Sequence, residues 1–218
     1  MMREFFVQEL NATRTELLRM GALAEKALSD ALLGIVNSDL EAAGRVKALE
    51  EAIDSSNRTI YDRCLRFINL QAPVASDTRY ITGILEAIVN IERIGDYADD
   101  LADVAFALAG KPLPPFIQDF AVMGSHVQTM VRAALDTWAT LDREQGLAVR
   151  DMDDLVDADY QRLFQSLSAL VQQGAEDGDG SVPLYLVLVC RYLERIADHA
   201  VSAAEQAAYA APNTTRPS

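Results

Sequence analysis

The stretch ERIGD at 92–96 returns as ERIAD at 194–198, 102 positions later. Met20-Gly21 returns as Met123-Gly124, 103 positions later, and DLEAAGRVKALEEAID at 39–54 lies over DREQGLAVRDMDDLVD at 142–157 at that same offset. An offset held to within one residue over three blocks marks a duplication of a unit of roughly 100 residues. Each half must therefore be able to take up the same shape, which restricts the fold more tightly than composition does.

Each half reads as helix. Apolar residues recur at intervals of three and four, as in Leu10, Leu17, Met20, Leu23, Leu28, Leu32 and Ile35, and strand alternation is absent. Ala, Leu, Glu and Arg, all good helix formers, dominate. Breaks fall at Asn37–Asp39, Gln71–Asp77, Gly110–Pro115, near Asp142 and at Gly174–Pro183. This predicts an all-α protein of six long helices, built as two tandem three-helix bundles joined by GKPLPP. The expected boundaries are 1–110 for the first bundle, 111–210 for the second and 211–218 for a disordered tail. Ser76 is the expected N-cap of the third helix. Phe5, Phe6 and Trp138 read as core or docking contacts.

Acidic residues follow the repeat. Pairs spaced four apart occur on the second and third helix of each unit: Glu50/Asp54 and Glu92/Asp96, then Asp153/Asp157 and Glu194/Asp198. A further acid follows seven residues after each third-helix Asp, at Asp103 and Glu205, and Asp99 and Asp100 crowd the first copy further. Residues i and i+4 share a helix face, so two antiparallel helices bring four carboxylates into one patch. Four carboxylates cannot all stay ionised at close range without a counter-charge. A divalent or trivalent cation supplies it, and an all-oxygen set suits Mg, Mn, Ca or Fe, with Zn also admissible. The bland alternative is a solvated acidic face, which a duplication would copy just as faithfully.

A formal net charge of −14 and a pI near 4.5 exclude a basic nucleic-acid footprint and suit a cationic partner. Cys64 and Cys190 stand apart and read as reduced, buried thiols of a cytosolic protein. No apolar signal core opens the chain, and no uncharged run reaches the roughly 18 residues of a membrane span. The N-x-T triplets at Asn11, Asn57 and Asn213 therefore carry no weight. Asp177, Asp179 and Ser181 imitate the start of an EF-hand loop, but Val182 stands where its glycine belongs and Leu188 where its glutamate does. His126 and His199 lie outside any E-x-x-H pattern. His199 points about 100° away from Asp198 on a helix and reads as a polar surface position. No phosphate-binding glycine loop, G-x-S-x-G or Cys–His arrangement is present.

The segments LLRMGALAEKALSDAL at 17–32, QAPVASDTRYI at 71–81, IERIGDYADDLADVA at 91–105 and LERIADHAVSAAE at 193–205 resemble the PhoU family, the regulators of bacterial phosphate uptake. The resemblance runs from Phe5 to about Tyr209. It implies two three-helix bundles related by a pseudo-twofold axis. It also implies metal ions or multinuclear clusters of iron, zinc, magnesium or manganese on the repeated acids. Carried over, one site takes Glu50, Asp54, Glu92 and Asp96, and the other Asp153, Asp157, Glu194 and Asp198. The family often has Asn four residues after the third-helix Asp, where this chain has Asp100 and Ser202, so the two sites should fill unequally. Ala197 replaces a usual glycine.

The resemblance further implies a cytoplasmic negative regulator that links the ATPase subunit of a phosphate ABC transporter to a sensor histidine kinase. Such an adaptor needs no catalytic residue, and none is expected. A homodimer is expected, without nucleic acid, and with peripheral membrane association at most. Two readings compete with it: a PhoU-fold accessory protein of another transporter, and a carboxylate-bridged metalloenzyme.

Overall fold

The computed structural model describes residues 2–71, 74–173 and 180–212. Among the described residues there are helices and turns but no strand. Helix α1 spans Met2–Asn37, α2 Leu40–Gln71 and α3 Ala75–Leu108, and these make the first bundle. The second bundle is built from α4 Gln118–Thr140, α5 Arg143–Ala148, α6 Asp153–Gln173 and α7 Ser181–Ala210. The core stripe of α1 is Leu17, Met20, Ala24, Ala27, Leu28, Ala31 and Ile35, all buried at helical spacing.

The duplication is visible in the corners. Ser38 between α1 and α2 and Leu141 after α4 both take the left-handed conformation, with φ of 56° and 55°. Each is followed by an aspartate that caps the next helix. Asp39 accepts the Ala42 N–H at 2.9 Å, while Asp142 accepts those of Glu144 and Gln145 at 2.9 and 3.1 Å. Positions 38 and 141, and 39 and 142, are repeat partners.

The two bundles meet along two helix pairs. Helices α3 and α7 make the most extensive contact in the molecule. Small residues allow it: Gly83, Ala87, Ala98 and Ala102 on one side, Ala200, Ala203, Ala207 and Ala210 on the other, all buried. A Cβ on Gly83 would lie 3.1 Å from the Gln206 carbonyl oxygen, so the backbones themselves set the spacing there. Trp138 of α4 is fully buried beside this seam and donates its indole N–H to the Ala203 carbonyl at 3.0 Å.

The second pair is α1 with α4, and it explains the repeated Met-Gly. A Cβ on Gly21 would run into the Leu135 methyls at 2.1 and 2.9 Å, and one on Gly124 into those of Leu32 at 2.6 and 2.8 Å. Leu32 and Leu135 are themselves repeat partners. The contact is reciprocal: each glycine of one copy receives the leucine of the other.

Four expectations need correction. The fifth helix is not continuous but runs as α5, a 3-10 turn at Val149–Met152, and α6. Asp151, Asp153 and Asp154 crowd this segment, and aspartate is a poor helix-interior residue that favours the first turn of a fresh helix. Ser76 is not the N-cap of α3. Val74 is, and its N–H is bonded by the Asp77 carboxylate at 3.3 Å. Pro183 lies inside the first turn of α7, where a missing N–H is harmless. His199 is half-buried in the seam between the bundles. The expected breaks at 72–73 and 174–179, the EF-like Asp177 and Asp179, and tail residues 213–218 lie outside the described residues, as does the side chain of Phe5. Phe6 is core, edge-on to Phe67 at 5.7 Å between ring centroids.

The reciprocal glycine contact is testable. Gly21→Ala should cost about 1–3 kcal/mol through overpacking. Leu135→Ala should cost about 2–5 kcal/mol by opening a cavity. The double variant should be clearly more stable than the sum of the two, because the added methyl fills space that the leucine has left. Additive losses in denaturant melts would contradict the contact.

Candidate metal centre

Glu50 and Asp54 sit one turn apart on α2, and Glu92 and Asp96 one turn apart on α3. Their outward direction follows from the buried positions beside them. Ile53 packs on Gly95, whose added Cβ would lie 2.8 Å from the Ile53 Cδ1. That close approach brings the two acidic faces together. Glu50, Asp54 and Asp96 each offer a carboxylate oxygen, and the three lie within 4.8 Å of one another. All three side chains are partly covered, at 15%, 33% and 32% exposure. Glu92 stands beside them. Burial raises its pKa, and the negative charges of Asp96, Asp54 and Glu50 raise it further against a smaller opposing effect from Arg93. Asp100 is raised in the same way, by desolvation and then by Asp99, Asp103 and Asp96. Glu50, Asp96, Asp99 and Asp100 line one open pocket with Arg93 and Tyr97.

The second cluster follows the same plan more loosely. Burial raises the pKa of Asp153, with Asp157, Asp198, Glu194 and Asp154 adding to it. Among the described residues no three acids of this set bring their oxygens within 4.8 Å of one another, as the first trio does. Glu194 is held by Arg191 at 2.6 Å and Asp198 by Arg195 at 2.9 Å. Asp103 is exposed beside Asp100, and Glu205 is paired with Arg150.

Between the clusters runs the pseudo-twofold axis. The Tyr97 ring stacks on His199 at 5.8 Å between centroids, and these two are repeat partners. Tyr97 also faces Tyr192 at 5.8 Å, and His199 Nδ1 bonds the Asn90 side-chain oxygen at 2.9 Å. Asn90 and Tyr192 are likewise repeat partners, so one arrangement is used twice across the axis. Burial lowers the His199 pKa, and the ring is committed to the seam rather than to the acids. His126 is committed elsewhere too, with Nδ1 at 2.7 Å from the buried Asp159. Cys64 and Cys190 are free, and burial pushes both thiols up to about 12.

Sequence reading missed the local cations. Lys47 bonds Glu50 at 2.9 Å and reaches across to Asp99 at 3.1 Å. Arg93 bonds Asp96 at 2.9 Å, and Arg58 lies 3.6 Å from Asp54. The pairs within one helix were legible as three- and four-residue spacings. The Lys47–Asp99 bond, between α2 and α3, was not.

The trio suits a hard cation. With metal–oxygen distances of about 2.1 to 2.4 Å, ligand oxygens across an ion stand about 4.2 to 4.8 Å apart and neighbouring ones about 3 Å. Oxygens already within 4.8 Å need only small rotamer shifts to converge. The set contains no nitrogen or sulfur donor, which favours magnesium or manganese over zinc.

An all-helical chain of two matching bundles, with paired acids on equivalent helices, is a class of protein seen before. The PhoU domain matches this chain twice, over residues 17–105 and 120–207. A phosphate-specific transport system accessory protein PhoU homolog of Synechocystis sp. is 37% identical over 209 residues, covering 95% of this chain and 91% of that protein. One from Pseudomonas aeruginosa is 35% identical over 206 residues, covering 94% and 84%. The crystal structure of PhoU from Pseudomonas aeruginosa superposes with a TM-score of 0.88 at 34% identity, over 94% of this chain and 98% of that one. The phosphate transport system regulatory protein PhoU from Streptococcus pneumoniae shares the fold, with a TM-score of 0.86 at 23% identity. The chain belongs to the PhoU family.

The raised carboxylates make a pH prediction for metal-free protein. A carboxyl whose pKa is higher folded than unfolded is destabilising once ionised, and the penalty disappears as pH falls through the raised value. Asp100→Asn should therefore be more stable than wild type at pH 7 in chelator. Its advantage should shrink as pH falls through the raised carboxyl value towards the ordinary aspartate range of about 4. Asp30 acts in a lower window. Burial pushes its pKa up, but bonds from Arg45 and Lys26 outweigh this and hold it down, so its contribution persists until pH falls below about 3.8. A pH-independent difference between Asp100→Asn and wild type would count against the coupling.

Proposed function

We propose that this protein is a metal-binding negative regulator of phosphate uptake, acting as an adaptor on the cytoplasmic side of the membrane. In this reading it links the ATPase subunit of a phosphate ABC transporter to a sensor histidine kinase, and it works as a homodimer without catalysis. The observation that carries the regulatory part is the match to phosphate-specific transport accessory proteins along nearly the whole chain, at 35–37% identity. Among the described residues no helix is long and apolar enough to cross a membrane, which fits a partner of a transporter rather than a component of its pore.

The metal part rests on Glu50, Asp54 and Asp96. These residues would hold a magnesium or manganese ion, with Glu92 and Asp100 as neighbouring carboxylates. Asp153, Asp157, Glu194 and Asp198 would form a second, looser site. The ion, when bound, neutralises the acids and fixes α2 against α3. A metalloenzyme is the weaker reading, because neither histidine reaches the trio. An accessory role with another transporter is separated by phenotype.

In a strain lacking the gene, a phosphate-starvation reporter should be active in phosphate-rich medium, and the wild-type gene should silence it. A reporter that stays silent in the deletion strain would reject the regulatory reading. For the metal, manganese titration of purified protein should show binding that Glu50→Gln with Asp54→Asn and Asp96→Asn weakens at least about tenfold. Equal binding by the two proteins would reject the trio as the site.

A further inference from the structure

Every member of the first trio already has a cation from the chain itself: Lys47 on Glu50, Arg58 on Asp54 and Arg93 on Asp96. The duplication shows which of these are particular to the first copy. The repeat partner of Lys47 is Arg150, which turns away to Glu205. The repeat partner of Arg58 is Gln161, which carries no charge. Only Arg93 has an equivalent in the same role, Arg195 on Asp198. Asp153 and Asp157 thus have neighbours of their own sign where Glu50 and Asp54 have neighbours of the opposite sign.

We propose that Lys47 is a built-in competitor for the first metal site, a tethered ammonium that bridges α2 and α3 until a metal ion displaces it. Its nitrogen sits between Glu50 and Asp99, 2.9 and 3.1 Å from their oxygens, at the rim of the pocket that Asp96 and Asp100 also line. A divalent ion among Glu50, Asp54 and Asp96 removes the reason for the ammonium to stay. Metal loading then frees Lys47 and Asp99 and replaces one α2–α3 tie by another. The second cluster lacks this competitor, so the two sites respond to metal at different concentrations. The inference rests on the trio being a metal site.

The test uses full-length protein in which Asp157→Asn and Asp198→Asn silence the second cluster. Free Mn2+ is counted by electron paramagnetic resonance during titration. Lys47→Met should bind manganese about tenfold more tightly, since each exposed ion pair is worth up to about a factor of five and Lys47 makes two. Lys47→Arg should stay near the parent. Arg150→Met makes the same change in net charge at the repeat partner and should leave the affinity unchanged. In chelator, Lys47→Met should melt earlier than the parent, and manganese should raise its melting point by more. With the side chain 62% exposed, the core is untouched. Equal affinity in Lys47→Met and its parent overturns the competitor while leaving the metal site standing. Equal tightening by Arg150→Met also overturns it, as a general effect of charge. No manganese bound by any of the proteins rejects the metal site and the competitor together.

Discussion

The seam between α3 and α7 is the constraint on which the rest of the molecule depends. Each of these helices belongs to the core of its own bundle and also forms the junction with the other. The junction works because alanines and glycines bring the two backbones close, with Gly83 against the Gln206 carbonyl at the tightest point. A larger residue there would lift the helices apart and tilt both bundles. The same two helices carry Glu92/Asp96 and Glu194/Asp198, so the packing that joins the bundles also sets the position of both acidic clusters. At the middle of the seam the Tyr97–His199 stack and its flanking Asn90 and Tyr192 contacts make the duplication a physical symmetry.

The halves have diverged at defined points, and the differences compensate locally. In the first bundle Gly95 receives Ile53. At the same places the second bundle has Ala197 and Val156, both buried, so a methyl group gained on one helix is matched by one lost on the other. The change from Gly95 to Ala197 between the two copies is thereby absorbed. The cations diverge without such compensation. Lys47 bonds Glu50 and Arg58 lies beside Asp54, whereas Arg150 turns to Glu205 and Gln161 carries no charge, which leaves Asp153 and Asp157 without those partners. Two clusters of common origin thus differ in geometry and in which of their acids meet a cation: Glu50, Asp54 and Asp96 in the first, Glu194 and Asp198 in the second.

Much of this was legible in the sequence, because periodic signals survive without coordinates. The offset of 102 to 103 residues gave the two bundles, and the spacing of apolar residues gave the helices. The four-residue spacing of the acids placed Glu50, Asp54 and Asp96 on converging faces. What the sequence hid depends on contacts between helices or on competition at their ends. Lys47 and Asp99 are 52 residues apart and meet only after α2 packs on α3. His199 looked like a surface residue because its partners, Tyr97 and Asn90, belong to the other bundle. Ser76 looked like a cap because serine commonly is one, yet Asp77 serves the α3 terminus from inside the helix. The interruption at Val149–Met152 was masked by a repeat partner, Val46–Leu49, that runs through α2 without a break.

The central claim is that α2 and α3 hold three carboxylates together for a cation. Anomalous diffraction at the manganese edge, from crystals grown with saturating manganese, tests it most directly. The account predicts a peak enclosed by the Glu50, Asp54 and Asp96 carboxylates, with Lys47 moved off Glu50. Electron density with Lys47 still bonded to Glu50 and Asp99, and no anomalous peak among the three acids, would contradict it.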